Sequence, residues 1–196
     1  MKRICVFCGS SGGVRPEYRE AAVEMGQAIA QREYTLIYGG GRVGLMGAVA
    51  DSVLASGGEV IGVIPEALAI KEIAHAGLTE LHVVDSMHTR KAMMADLADA
   101  FISMPGGFGT FEEFCEILTW AQLGIHQKPC GLLNAAGYYD SLVAMFDHAY
   151  NEGFVRKEHR NLVLEATSPT PLLERLEAWT PDGLEHVEKW IKKEQT

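Results

Sequence analysis

No run of about 18 apolar residues occurs in the chain, so no segment is long enough to cross a membrane as a helix. The opening Met1–Phe7 carries two basic residues, but the apolar stretch behind them stops at Gly9-Ser10-Ser11-Gly12-Gly13, too soon for a secretory signal. Together these absences predict a cytoplasmic protein. Basic residues are scarce: 17 Lys and Arg against 26 Asp and Glu leave a net charge of −9. A nucleic-acid surface needs a basic patch, and this balance argues against one. There are only four cysteines, and they show no disulfide framework. Cys5 and Cys8 form a C-x-x-C within a run that reads as a strand, where a spacing of three sends the side chains to opposite faces. A redox pair requires that motif at a helix start instead. His75, His82, His126, His148 and His159 lack metal-ligand spacing, so neither a metal nor a cofactor is expected. The phosphate-loop pattern G-x-x-x-x-G-K-[ST] is absent, which excludes a P-loop NTPase.

What is present is a regular alternation over 196 residues, enough for one well-buried domain, 1–196. Short apolar runs read as strands at Ile4–Phe7, Thr35–Tyr38, Val60–Ile64, Leu81–Val84, Ala100–Met104, Cys130–Leu133 and Leu162–Leu164. Between them, helical periods run over Glu17–Gln31, Gly44–Ala55, Thr89–Leu97, Thr110–Leu123 and Tyr139–Asn151. A further helix is expected at Leu184–Glu194. This order predicts an α/β, doubly wound (Rossmann-like) parallel sheet with helices on both faces. In such a sheet ligands bind beyond the carboxyl ends of the strands, where the strand order reverses.

Three glycine-rich turns follow strands directly. The first, Gly9 to Gly13, offers close backbone approach and hydroxyl donors, with Gly9 and Ser10 as candidate contacts. The second, Tyr38 to Gly47, contains G-x-G-x-x-G at Gly39, Gly41 and Gly44, and nominates Gly40, Gly41 and Met46. A dinucleotide is not expected there: the next strand runs into Ile64-Pro65-Glu66, Glu59 stands at its start, the wrong end to hold a ribose, and the fingerprint usually belongs to the first βα unit and not the second. The third, Pro105-Gly106-Gly107-Phe108-Gly109-Thr110-Phe111-Glu112-Glu113, opens a helix and exposes consecutive N–H groups. Thr110 is expected as the N-cap, and Thr110-x-x-Glu113 also matches a capping box, which would give Glu113 a purely structural task. Finally, His88-Thr89-Arg90-Lys91 places a basic pair just past a strand end. Arg90 suits a phosphate or carboxylate because its planar fork makes two-point contacts.

With these motifs the chain resembles the LOG family of cytokinin riboside 5′-monophosphate phosphoribohydrolases. Their P-G-G-x-G-T-x-x-E signature is met by Pro105 through Glu113. The resemblance extends to Cys8-Gly9-Ser10-Ser11, to Tyr38–Gly47, to Met87-His88-x-Arg90-Lys91 and to Thr119-Trp120-Ala121-Gln122-Leu123-Gly124, and covers roughly residues 2 to 165. It implies a homodimer without a cofactor that cleaves the N-glycosidic bond of a nucleoside 5′-monophosphate, AMP or an N6-substituted AMP. It further implies Arg90 and Glu113 as catalytic residues. Substrate contacts are implied at Glu72, Arg90, Lys91, Gly106, Gly107, Phe108, Gly109, Thr110, Phe111, Glu112 and Thr119. The lysine decarboxylase label sometimes given to such proteins finds no support, since no Schiff-base lysine with pyridoxal partners is identifiable. Two alternatives stand beside this reading: a non-catalytic sensor of AMP using the same loops, and an NAD-linked oxidoreductase.

Overall fold

The computed structural model describes residues 1–69 and 75–181; Glu72 and the helix expected at Leu184–Glu194 lie outside the described residues. The chain alternates β1 (Arg3–Phe7), α1 (Pro16–Gln31), β2 (Thr35–Tyr38), α2 (Gly44–Ala55), β3 (Val60–Pro65), α3 (Glu66–Ala69), β4 (Glu80–Val84), α4 (Met87–Leu97) and β5 (Ala100–Ser103). It continues with α5 (Phe108–Gln122), β6 (Cys130–Leu133), a 3-10 turn (Ala135–Gly137), α6 (Asp140–Asn151), α7 (Lys157–Arg160), β7 (Val163–Ala166) and α8 (Pro169–Ala178).

The seven strands pair in parallel, in the order β4-β3-β2-β1-β5-β6-β7. The first four strands step outward from β1 in one direction, and β5 returns to its other side. The reversal therefore falls between β1 and β5, and a ligand crevice is expected above their carboxyl ends. The register sets Val6 beside Ile102 and Phe7 beside Ser103, so the turns after both strands emerge at the same level.

The sheet separates two apolar layers. Ile4, Val6 and Cys8 face α1, α2 and α8, while Cys5 and Phe7 face α4, α5 and α6. The alternation puts Cys5 and Cys8 on opposite faces, as the strand spacing requires, so they are separately buried thiols. Strands buried on both faces explain the near-continuous apolar runs in the sequence. Among the described residues no helix is long and apolar enough to cross a membrane.

Candidate active site

All three glycine turns converge above β1 and β5. The Gly9 amide donates to the Pro105 carbonyl (3.0 Å), and the Gly9 carbonyl accepts from the amides of Leu45 (3.0 Å) and Met46 (3.3 Å). The first turn is thus the hub that locks the other two together. Its glycine is needed for space, because a side chain there would press on the Gly106 backbone. Gly40 (φ +77°) and Gly44 (φ +64°) hold the second turn in the left-handed region that disfavours other residues. Gly40 and Gly41 are both buried beside the crevice floor and do not line it.

Between the turns lies a cleft of about 290 Å³, at the small end for a metabolite site. Its walls include Gly9, Ser10, Met46, Arg90, Gly107, Phe108, Gly109, Thr110 and Glu113, all expected from the sequence. Phe7, Leu68 and Met94 also line it. Sequence reading missed Phe7 and Met94 because strand and helix interiors look like core until the topology shows which ones reach the rim, and Leu68 because its four-residue helix has no sequence signal of its own. Phe108 stands at the lip and is 90% exposed, an unusual state for phenylalanine.

The third turn departs from expectation in one respect. Helix α5 begins at Phe108 with Gly107 as its N-cap, so Thr110 is the third residue of the helix and is buried. Its hydroxyl packs against Gly106, where an added side chain would collide with it. There is consequently no capping box, and Glu113 is free of a capping task. Around this turn the carbonyls are held back from the cleft. Met104 accepts from the Tyr139 hydroxyl (2.6 Å), Pro105 from the Gly9 amide, Gly106 from the Tyr138 hydroxyl and Gly107 from the Phe111 amide. The first N–H groups of α5 have no acceptors within the helix, an arrangement that suits an anion. Tyr138 and Tyr139 were not expected from sequence; they follow β6, and no local signal ties them to a loop about 30 residues earlier.

Arg90 and Glu113 meet at the back of the cleft. The Arg90 Nη1 lies 3.5 Å from Glu113 Oε1, and both side chains are nearly buried, 11% and 12% exposed. Arg90 is fixed by two further bonds, from Nε to the Val63 carbonyl (3.0 Å) and from Nη1 to the Met87 sulfur (3.3 Å). Burial pushes the Glu113 carboxyl up to about 7, although the neighbouring Arg90 cation favours its ionised form. A carboxyl poised near neutrality in a crevice is suited to proton handling. Glu113 is the sixth residue of α5, about 7 Å along the axis from Phe108 at about 1.5 Å per residue. Glu113 thus stands more than one helical turn beyond the start of α5.

Other expected contacts are placed elsewhere. Lys91, nearly buried, bonds Glu112 (2.5 Å) and Glu116 (3.0 Å) across the α4–α5 seam, and neither Lys91 nor Glu112 lines the cleft. The two glutamates hold the Lys91 ammonium above its ordinary proton affinity against the opposing effect of burial. Phe111 packs among Tyr138, Tyr139 and Phe108 beneath the loop. Thr119 lies on the exposed side of α5, its hydroxyl donating to the Cys115 carbonyl (2.7 Å). Among the described residues no group of three or more His, Cys, Asp or Glu side chains could hold a metal ion.

A family model described as "Possible lysine decarboxylase" matches residues 46–176. Cytokinin riboside 5′-monophosphate phosphoribohydrolase LOG7 of Arabidopsis thaliana is 49% identical over 190 residues, covering 97% of this chain and 88% of that protein. A probable enzyme of the same name, LOGL9 of Oryza sativa subsp. japonica, is 52% identical over 180 residues, covering 92% and 79%. Among solved structures, the molybdenum cofactor carrier protein of Chlamydomonas reinhardtii superposes with a TM-score of 0.68 at 21% identity, over 91% of this chain and 99% of that one. A likeness at that identity speaks for the fold alone. The identity to the plant proteins is about half of all positions over nearly the whole chain, and the chain belongs to the LOG family.

Proposed function

We propose that this protein hydrolyses the N-glycosidic bond of an adenosine 5′-monophosphate, plain or N6-substituted, to free base and ribose 5-phosphate. The observation that carries the reading is the buried Arg90–Glu113 pair facing a cleft whose other end is an amide-rich helix start. The phosphate takes the amides of Gly107 to Thr110, with Gly9 and Ser10 closing the opposite side. Anchoring it there contributes binding energy that orients the reacting bond. The ribose then lies toward Glu113. As the C1′–N9 bond breaks, its electron pair leaves with the base and positive charge develops on the sugar, which the ionised carboxylate stabilises. Water supplies the hydroxyl that joins C1′ and the proton that ends on the base, with Glu113 accepting it from the attacking water. Arg90 favours the ionised carboxylate. Incubation with AMP and with isopentenyl-AMP, followed by chromatography for the free base, tests the reading; intact nucleotide after prolonged incubation with both would refute it.

The homodimer belongs to the same proposal. Helix α6 is amphipathic yet contributes no buried residue, and Met145, Leu123 and Ile125 are 58%, 48% and 62% exposed. Thr119, on the outer side of α5, reaches a substrate only across a subunit boundary. Light scattering at micromolar concentration should give twice the chain mass. We place the enzyme in the cytoplasm, acting on a free nucleotide and not on nucleic acid, in keeping with its net charge of −9.

A further inference from the structure

Gly39 directly follows β2 at the start of the second glycine turn, and its backbone does not need a glycine: its φ lies outside the left-handed region that Gly40 and Gly44 occupy. The β2–β3 register pairs Tyr38 with Gly62, which sets Gly39 level with Val63, the residue whose carbonyl holds Arg90 Nε. A Cβ added to Gly39 falls well inside van der Waals contact of Arg90 Nη2, and at 3.3 Å from the guanidinium carbon. The second-nearest neighbour is the Met46 sulfur at 3.2 Å, the end of a flexible chain. The guanidinium has little freedom to retreat, because Val63, Met87 and Glu113 hold it on its other sides.

We propose that Gly39 is a positioning residue: the space left by its missing side chain is the berth of the Arg90 guanidinium, so that Gly39 and Arg90 act as one unit in presenting the arginine to Glu113. This deepens the hydrolase reading and rests on it for its catalytic part. Any side chain at position 39 displaces the fork from Glu113 while leaving the phosphate cradle, built by the other two turns, intact.

The experiment is a double-mutant cycle on the full chain with Gly39→Ala, Arg90→Ala and the pair. Turnover of AMP should fall at least about tenfold in Gly39→Ala through kcat, with the dissociation constant for AMP changed less than about threefold. The double variant should be no slower than Arg90→Ala alone, because nothing remains to be displaced. A second readout does not depend on activity: urea denaturation of the same four proteins. Gly39→Ala should lower the folding equilibrium constant at least about fivefold when Arg90 is present and leave it unchanged or raised when Arg90 is alanine. Effects of the two substitutions that multiply in both cycles would overturn the proposal, as would near-normal kcat in a folded Gly39→Ala protein. If the unmodified protein releases no base from any nucleotide, the hydrolase reading fails, and the stability cycle alone still decides whether the berth exists.

Discussion

Replacing Glu113 by glutamine separates the chemistry from the scaffold, because it alters one charge and almost no volume. The carboxyl is buried, and holding it up at about 7 instead of the ordinary 4.5 is a statement about stability. At about 1.4 kcal/mol per tenfold change in proton affinity, keeping Glu113 ionised costs the folded state about 3 kcal/mol. The sign follows from which state binds the proton more tightly. The folded protein does, so its relative stability is greatest below pH 4.5, declines as pH rises, and levels off above about 7. The amide of the Glu113→Gln variant does not titrate in this range. That variant should therefore gain on the native protein by about 3 kcal/mol between about pH 4.5 and about pH 8. The Arg90 charge, deprived of its partner, adds a cost that is the same at every pH and drops out of this comparison. Urea titrations at a series of pH values measure the difference. In turnover the same substitution should lower kcat by about 10²–10³-fold, the scale of one preorganised electrostatic group. The native enzyme should gain activity as pH rises through about 7, and the variant should lose that limb. A Glu113→Gln protein that folds, binds AMP and releases base at the native rate would reduce Glu113 to packing, and a stability difference flat with pH would refute its buried ionisation.

Arg90→Lys should impair turnover nearly as much as Arg90→Ala, since one ammonium cannot replace both the Nε bond to Val63 and the Nη1 approach to Glu113; near-normal kcat would show that charge alone suffices. Adenosine should be at least about tenfold worse than AMP in kcat/KM, because one lost charge-assisted phosphate contact costs about 1.5–3 kcal/mol; equal turnover would remove the phosphate from the helix start. Tyr138→Phe deletes the bond that turns the Gly106 carbonyl away from the anion. It should raise KM for AMP several-fold, with kcat little changed and stability lower by about 1 kcal/mol, and an unaltered KM would show that the loop needs no brace.

The fold was legible because every strand run is short, apolar and bounded by turn residues. The seven observed strands fall within a residue or two of those expected, the usual blur of element ends. What misled was the start of α5. Threonine is the better N-cap by local chemistry, yet Gly107 takes that position. The reason is tertiary: Thr110 is buried opposite Gly106, and that packing exists only once β1 has placed Gly9 against the same loop. Lys91 shows the same limit. Adjacent to Arg90 in sequence, it is carried by the helical turn toward Glu112 and Glu116 and away from the cleft. Arg90 and Glu113, 23 residues apart, share no sequence pattern that could reveal their contact. Only the strand order, which puts β5 beside β1, makes them face one crevice.

That topology also bears on how a chain with a net charge of −9 would hold the phosphate of the proposed substrate. Among the described residues no lysine lines the cleft: Lys91 is neutralised by two glutamates, and Arg90 is directed at a third. In the proposed reading positive potential comes from peptide dipoles: the loop carbonyls are tied to Gly9, Phe111, Tyr138 and Tyr139, which leaves the amides at the start of α5 for the phosphate. Such a field is local and falls away within the first helical turn. A carboxylate on the sixth residue of the same helix can then remain close to the sugar without cancelling the phosphate site. An enzyme that anchored the phosphate with lysines would pull the proton affinity of Glu113 down and lose its position near neutrality. Under the proposed reading, holding the anion with backbone amides is what lets the Glu113 carboxyl keep its position near neutrality.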